Sequence, residues 1–292
     1  MTGRRAWASL DHRRWADGAQ WAFSGVRPQQ TRRSARTRNP LGARRRRPYR
    51  VVVSTPRSYL LCGTPRTGST LLCSLLASTG VAGRPESYFR EGDEAAWASR
   101  FGVAVAGDGS FDYREFVAGA VRAGTSRNGV FAARIMWGTL DVLVERLSRT
   151  APAERDLDVL IDAFGPLALV HLRRLDVVGQ AVSWARAEQT GYWQQGDTAS
   201  TDAHLDLDQI GQLVRTVHDH NAAWARWFAE QGVRPHVVTY EELVASPRRT
   251  VEGILDFLGV EPPSDWRPVS PHVRQADDIN VDWARRYRTT RG

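Results

Sequence analysis

Lysine is absent from the 292 residues: all 40 basic side chains are arginines. That absence excludes Schiff-base chemistry and the phosphate-loop lysine on which nucleoside-triphosphate enzymes rely. Whatever neutralises anions here must be guanidinium or backbone N–H. Cysteine is nearly as scarce. Cys62 and Cys73 are too few for a disulfide framework or a paired-cysteine zinc site. They read as small buried hydrophobes in a protein of a reducing compartment, the cytoplasm. Long apolar runs are missing too. Segments such as YLLC (59–62) and LALV (167–170) are strand-sized, far below the about 20 residues of a membrane-spanning helix. A soluble protein is expected.

The charge that is present is uneven. The formal net charge is +8, yet residues 1–50 hold 14 arginines against only Asp11 and Asp17, so the remainder is mildly acidic. Residues 1–57 show no sustained apolar period and read as an Arg-rich disordered extension. Arg4 and Arg5 lack the apolar stretch that a twin-arginine signal requires. A nucleic-acid arm is the sharper reading of this segment and a solvated tail the plainer one. The plainer is preferred, because no nucleic-acid-binding fold accompanies the arginines.

From residue 58 the pattern changes. SYLLCGTPRTGSTLLCSLLASTG (58–80) reads as a buried strand, a glycine-bounded turn and a helix with Leu71, Leu72, Leu75 and Leu76 on one face. Further strands are expected at 129–135, 167–174 and near RPHVVTYEEL (234–243). Helices are expected at about 140–147, 176–189, 207–230 and 248–258. Strands alternating with helices imply an α/β domain over 58–292: a P-loop-like three-layer fold with a central parallel sheet flanked by helices. The end of the chain, Pro-rich and then polar, reads as a segment lying over that domain.

GTPRTGST (63–70) has the glycine spacing and terminal Thr of a phosphate loop, with Ser69 where a nucleotide-hydrolysing loop places Lys. At a strand end opening a helix, its N–H groups and the helix dipole make an anion site, and Gly63 and Gly68 allow close approach. Arg66, Thr67, Ser69 and Thr70 supply charge and hydroxyls. A second candidate is Arg174, directly after an apolar strand, with Ser183 on the following helix. Both fall at the carboxyl edge of the sheet, where open α/β folds bind ligands. The alternative for Arg174 is a surface salt bridge with Asp176.

The stretch from 58 to 89 resembles the 5′-phosphosulfate loop of sulfotransferases that use 3′-phosphoadenosine 5′-phosphosulfate (PAPS), in particular the bacterial trehalose 2-sulfotransferase-like family. NGVFAARIMW (128–137), HLRRLDVVGQAVSWARA (171–187), VTYEEL (238–243) and VRQADDINVDWARRYR (273–288) carry the same resemblance. It implies that Arg174 and Ser183 bind a 3′-phosphate and that Tyr240 lies near adenine. PAPS would be the cosubstrate, with no metal, and the acceptor a carbohydrate or glycolipid. Homodimers occur in that family.

Arg66 and the loop amides would stabilise the leaving phosphate. The family pattern has a Glu as general base in a segment similar to GRPESYF (83–89). Without gaps that Glu falls on Ser87, with Glu86 adjacent, so Glu86 is the expected base and Glu91 or His171 the alternatives. Trp97, Trp137, Trp184 and Trp193 could stack on sugar faces or simply pack. Two other activities compete. A Mg-ATP-dependent P-loop kinase is disfavoured by the missing lysine, and a nucleic-acid-binding protein would act through the N-terminal arm.

Overall fold

The computed structural model describes residues 58–149, 151, 153–193, 200–268 and 278–291. The Arg-rich segment 1–57, expected to be a disordered arm, lies outside the described residues.

In chain order the elements are β1 (Ser58–Gly63), α1 (Ser69–Ser78), α2 (Glu94–Arg100), α3 (Tyr113–Gly124), β2 (Phe131–Met136), α4 (Thr139–Ser148) and α5 (Asp156–Phe164). There follow β3 (Leu167–Arg173), α6 (Val177–Thr190), α7 (Leu207–Glu230), β4 (His236–Thr239), α8 (Tyr240–Ala245), α9 (Pro247–Leu258) and α10 (Asp278–Arg291). The strands form one parallel sheet in the order β2-β1-β3-β4. The chain leaves β1 toward β2 on one side and reaches β3 on the other, so the strand order reverses between β1 and β3. That reversal opens a crevice at the carboxyl ends of the two central strands.

Alternation along the strands divides the core. Leu60, Cys62, Ala133, Ile135 and Leu169 face one layer, with Phe89, Phe116, Leu140, Leu143 and Trp224. Tyr59, Leu61, Ala132, Val170 and Leu172 face the other, with Leu72, Leu75 and Leu76 of α1 and Ile254, Leu255 and Leu258 of α9. Each such Leu contributes roughly 1.5–3 kcal/mol by leaving water. A third cluster, including Ala181, Val182, Trp184, Ile210, Leu213, Val217 and Trp283, joins α6, α7 and α10 beside the crevice.

Both cysteines are buried free thiols. Burial pushes the Cys62 thiol well up and that of Cys73 to about 12, so neither is a nucleophile at neutral pH. Among the described residues, no helix is long and apolar enough to cross a membrane. Of the tail expected to lie over the domain after Gly259, residues 278–291 form α10, a helix packed on α6.

Candidate active site

The loop 63–70 leaves the central strand β1 into the crevice. Its turn uses two left-handed residues, Arg66 (φ 66°) and Gly68 (φ 83°). Gly68 is also the N-cap of α1 and has no capping side chain, so the first-turn N–H groups of α1 face outward as a ready anion site. Only glycine fits there: a Cβ on Gly68 would lie 2.5 Å from the Tyr240 ring, which packs on the loop.

Buried polar contacts fix the loop from below. The Trp224 Nε1–H donates to the Gly63 carbonyl (2.9 Å), and Gln180 Nε2 donates to Thr64 Oγ1 and the Pro65 carbonyl, both at 2.7 Å. Thr67, fully buried, donates its hydroxyl to the Thr64 carbonyl (2.9 Å). That hydroxyl shapes the loop, and Thr67 has its backbone N–H to offer an anion.

Arg66 reaches away from the loop. Its Nε donates to Ser183 Oγ on α6 (3.0 Å), and its Nη1 donates to the Trp193 carbonyl. Arg174, just past β3, donates to the Arg66 carbonyl (3.5 Å) and holds its guanidinium 4.7 Å from the centre of the Tyr240 ring. The structure therefore brings Arg66, Gly68, Ser69, Thr70, Arg174, Ser183 and Tyr240 together. Because Ser183 Oγ accepts from Arg66, its own O–H remains to be donated to an anion.

A further cation stands on the opposite flank. Arg134, near the carboxyl end of β2, donates from Nη1 to Thr70 Oγ1 (3.0 Å) and Ser69 Oγ (3.4 Å) and from Nε to Ser87 Oγ (2.8 Å). As acceptors from Arg134, Ser69 and Thr70 aim their hydroxyl protons elsewhere. Sequence reading missed Arg134, which sits in the apolar strand FAARIM. The available signal was a lone charge near the carboxyl end of an otherwise apolar strand in a parallel sheet.

Glu86 lies at the edge of this group. Its backbone carbonyl accepts from the Arg134 N–H (2.9 Å), which fixes the segment beside β2. Its side chain remains solvent-accessible. The surrounding protein raises its pKa, and the Arg134 charge opposes that rise. Solvent access and a raised pKa are the properties of a usable base.

The alternative bases are placed differently. His171 is 4% exposed, with Trp224 and Phe228 beside it, and burial pushes its pKa to about 4, so it is a neutral core residue. Glu91 is a mostly exposed carboxylate paired with Arg146 at 3.4 Å. Of the tryptophans, Trp97 stacks on Phe101 and Trp184 is buried beside α7. Trp137 and Trp193 are half-buried; Trp137 directly follows β2, and the Trp193 carbonyl takes the Arg66 bond. Among the described residues no group of three or more His, Cys, Asp or Glu is arranged to hold a metal ion.

Comparison with known proteins gives this geometry a class. A family model described as Stf0 sulphotransferase matches residues 58–290, a stretch containing every residue of the candidate site. The protein is a sulfotransferase, an enzyme that transfers sulfate. It belongs to the Stf0 sulphotransferase family. The trehalose 2-sulfotransferase of Mycobacterium tuberculosis is 30% identical over 257 residues, covering 80% of this chain and 94% of the relative. That of Mycolicibacterium smegmatis is 30% identical over 260 residues, covering 80% and 95%. Among solved structures, a sulfotransferase from Alicyclobacillus acidocaldarius aligns with a TM-score of 0.42 at 15% identity, covering 79% of this chain and 90% of that one.

Proposed function

We propose that the enzyme transfers the sulfuryl group of PAPS to a hydroxyl of a carbohydrate or glycolipid, acting in the cytoplasm. The carrying observation is the Arg66–Ser183 bond, which joins the loop 63–70 to the Arg174–Ser183 site. Two anion sites so joined suit one ligand with a charged group at each end. PAPS is such a ligand: a phosphosulfate at one end of an adenosine and a phosphate at the other. The sugar acceptor is supported by the names of the two mycobacterial relatives.

In this reading the N–H groups of the loop and of α1, with the Ser69 and Thr70 hydroxyls, hold the phosphosulfate. Arg174 and Ser183 hold the 3′-phosphate, Arg66 links that site to the loop, and Tyr240 borders the nucleoside. Arg134 takes the place of the missing loop lysine and faces the reacting group through the two hydroxyls it contacts. As the acceptor oxygen bonds to sulfur, the bond from sulfur to the phosphate oxygen breaks. Arg134, Arg66 and the loop amides stabilise the charge left on that phosphate. Glu86 accepts the acceptor's proton, and Ser87, bonded to Arg134, orients the same segment.

Thermal denaturation tests the donor site, since a ligand that binds only the native state raises the melting temperature. Adenosine 3′,5′-bisphosphate should stabilise the protein more than ATP with Mg²⁺ at equal concentration. The reverse order would overturn the PAPS assignment in favour of a kinase.

A further inference from the structure

We infer that Glu241, at the start of α8, is a positioning residue for the nucleoside end of the donor site: by binding the two backbone N–H groups that follow Arg174, it holds the Tyr240 ring against the loop 63–70. This rests on reading Tyr240 as the border of the nucleoside.

The two adjacent glutamates of α8 do different work. Thr239 caps the helix, and Glu242 completes a capping box with it: the Glu242 N–H donates to Thr239 Oγ1 (3.2 Å), and Glu242 Oε2 accepts from the Thr239 N–H (3.0 Å). Glu242 is thus spent on its own helix. Glu241 reaches across to another segment. Its Oε2 accepts from the Leu175 N–H (3.1 Å) and its Oε1 from the Asp176 N–H (3.2 Å), both in the turn between β3 and α6. A carboxylate with one oxygen on each of two successive N–H groups fixes direction as well as distance.

Apolar packing does not hold that turn, since Leu175 is 64% exposed. The sheet does not hold it either. The parallel strands β3 and β4 pair only as far as Arg173 with Thr239. Arg174 and Tyr240 come next on the two segments, and the Glu241 clamp on Leu175 and Asp176 follows. Arg174 and Tyr240 are therefore framed by the last ladder pair on one side and by the carboxylate on the other.

The ring so framed meets two groups that do not belong to α8. Gly68 of the loop is so close that a Cβ there would lie 2.5 Å from the Tyr240 ring, and the Arg174 guanidinium stands 4.7 Å from the ring centre. The ring keeps this place only while α8 is tied to the segment after β3. Helix α8 has six residues, and of them Leu243 alone is buried, so a polar tie matters to its position. Glu241 is that tie.

The test is a double-mutant cycle read by calorimetric titration of the full chain with adenosine 3′,5′-bisphosphate. Glu241→Gln keeps the volume and loses one of the two acceptor oxygens. It should weaken the nucleotide about three- to tenfold, the worth of an aromatic contact. Tyr240→Ala should weaken it at least as much, and in that background Glu241→Gln should add nothing. Transfer kinetics separate positioning from general support of the fold. A contact to the nucleoside, remote from the sulfuryl group, is made equally in the ground and transition states, so Glu241→Gln should raise the KM for PAPS and leave kcat as it was. Unchanged affinity in Glu241→Gln, full additivity of the two losses, or a fall in kcat at unchanged KM would overturn the role of Glu241. Wild-type affinity in Tyr240→Ala would instead refute the nucleoside reading of Tyr240, and the role of Glu241 with it.

Discussion

Replacing Arg134 by Gln removes the cation beside the loop while sparing the strand that carries it. Arg134 makes three contacts there, to Ser87 (2.8 Å), Thr70 (3.0 Å) and Ser69 (3.4 Å), the last too long to count for much. If the guanidinium stabilises charge that develops only in the transition state, its loss costs about 2.7–4 kcal/mol of barrier, or roughly 100- to 1000-fold in kcat. A second signature follows from Glu86. Desolvation by the surrounding protein raises its pKa and Arg134 opposes that rise, so in the variant the pKa climbs further. The acid limb of the rate profile should move to higher pH, because less of the base is ionised at a given pH. The assay is transfer from PAPS to trehalose across the neutral range, with melting curves showing that the variant is folded. An unchanged kcat would refute the role of Arg134. A lower kcat with an unshifted acid limb would refute the coupling to Glu86.

Four further substitutions probe other parts of the account. Arg174→Ala and Ser183→Ala should each weaken adenosine 3′,5′-bisphosphate far more than adenosine 5′-monophosphate in titration, and equal losses would mean the pair only supports the fold. Gly68→Ala should abolish nucleotide binding and lower the melting temperature, because the residue is left-handed and its Cβ would strike the Tyr240 ring. His171 titrates near 4 in the fold against an ordinary 6.5, so the unfolded chain binds its proton first. The enzyme should lose up to about 3 kcal/mol of stability as pH falls from the unfolded to the folded value, a slope that His171→Leu should flatten in denaturant titrations.

The layered fold was legible where side chains obey a single period. The long helix α7 has the bounds read from its apolar spacing, and the strands β1 and β3 stand out as short apolar runs ending at the loop and at Arg174. Helices α2, α3 and α5 were not readable. In α3 the sequence YREFVAGAVRAG carries two glycines, which locally oppose a helix. Tertiary packing explains one of them, since a Cβ on Gly119 would lie 2.6 Å from Phe101. The helix α10 hid for another reason: its described buried residues are Trp283 and Ala284, and the charges around them look like a solvated tail. In the site, the loop and the Arg174–Ser183 pair followed from strand-end positions. The turning of Arg66 toward Ser183 did not, because it depends on the left-handed backbone at Arg66 and on where α6 lies. Arg134 stayed hidden because a strand pattern does not tell which neighbouring loop a strand-end side chain will meet.

The most direct measurement of the central claim is a transfer assay with sulfur-labelled PAPS and trehalose, following both products. The account predicts a sulfated sugar formed in equal amount with adenosine 3′,5′-bisphosphate, and the loss of both when Arg66 is replaced by Ala. Labelled PAPS left intact with trehalose and with every other sugar tried, by a folded protein, would contradict it.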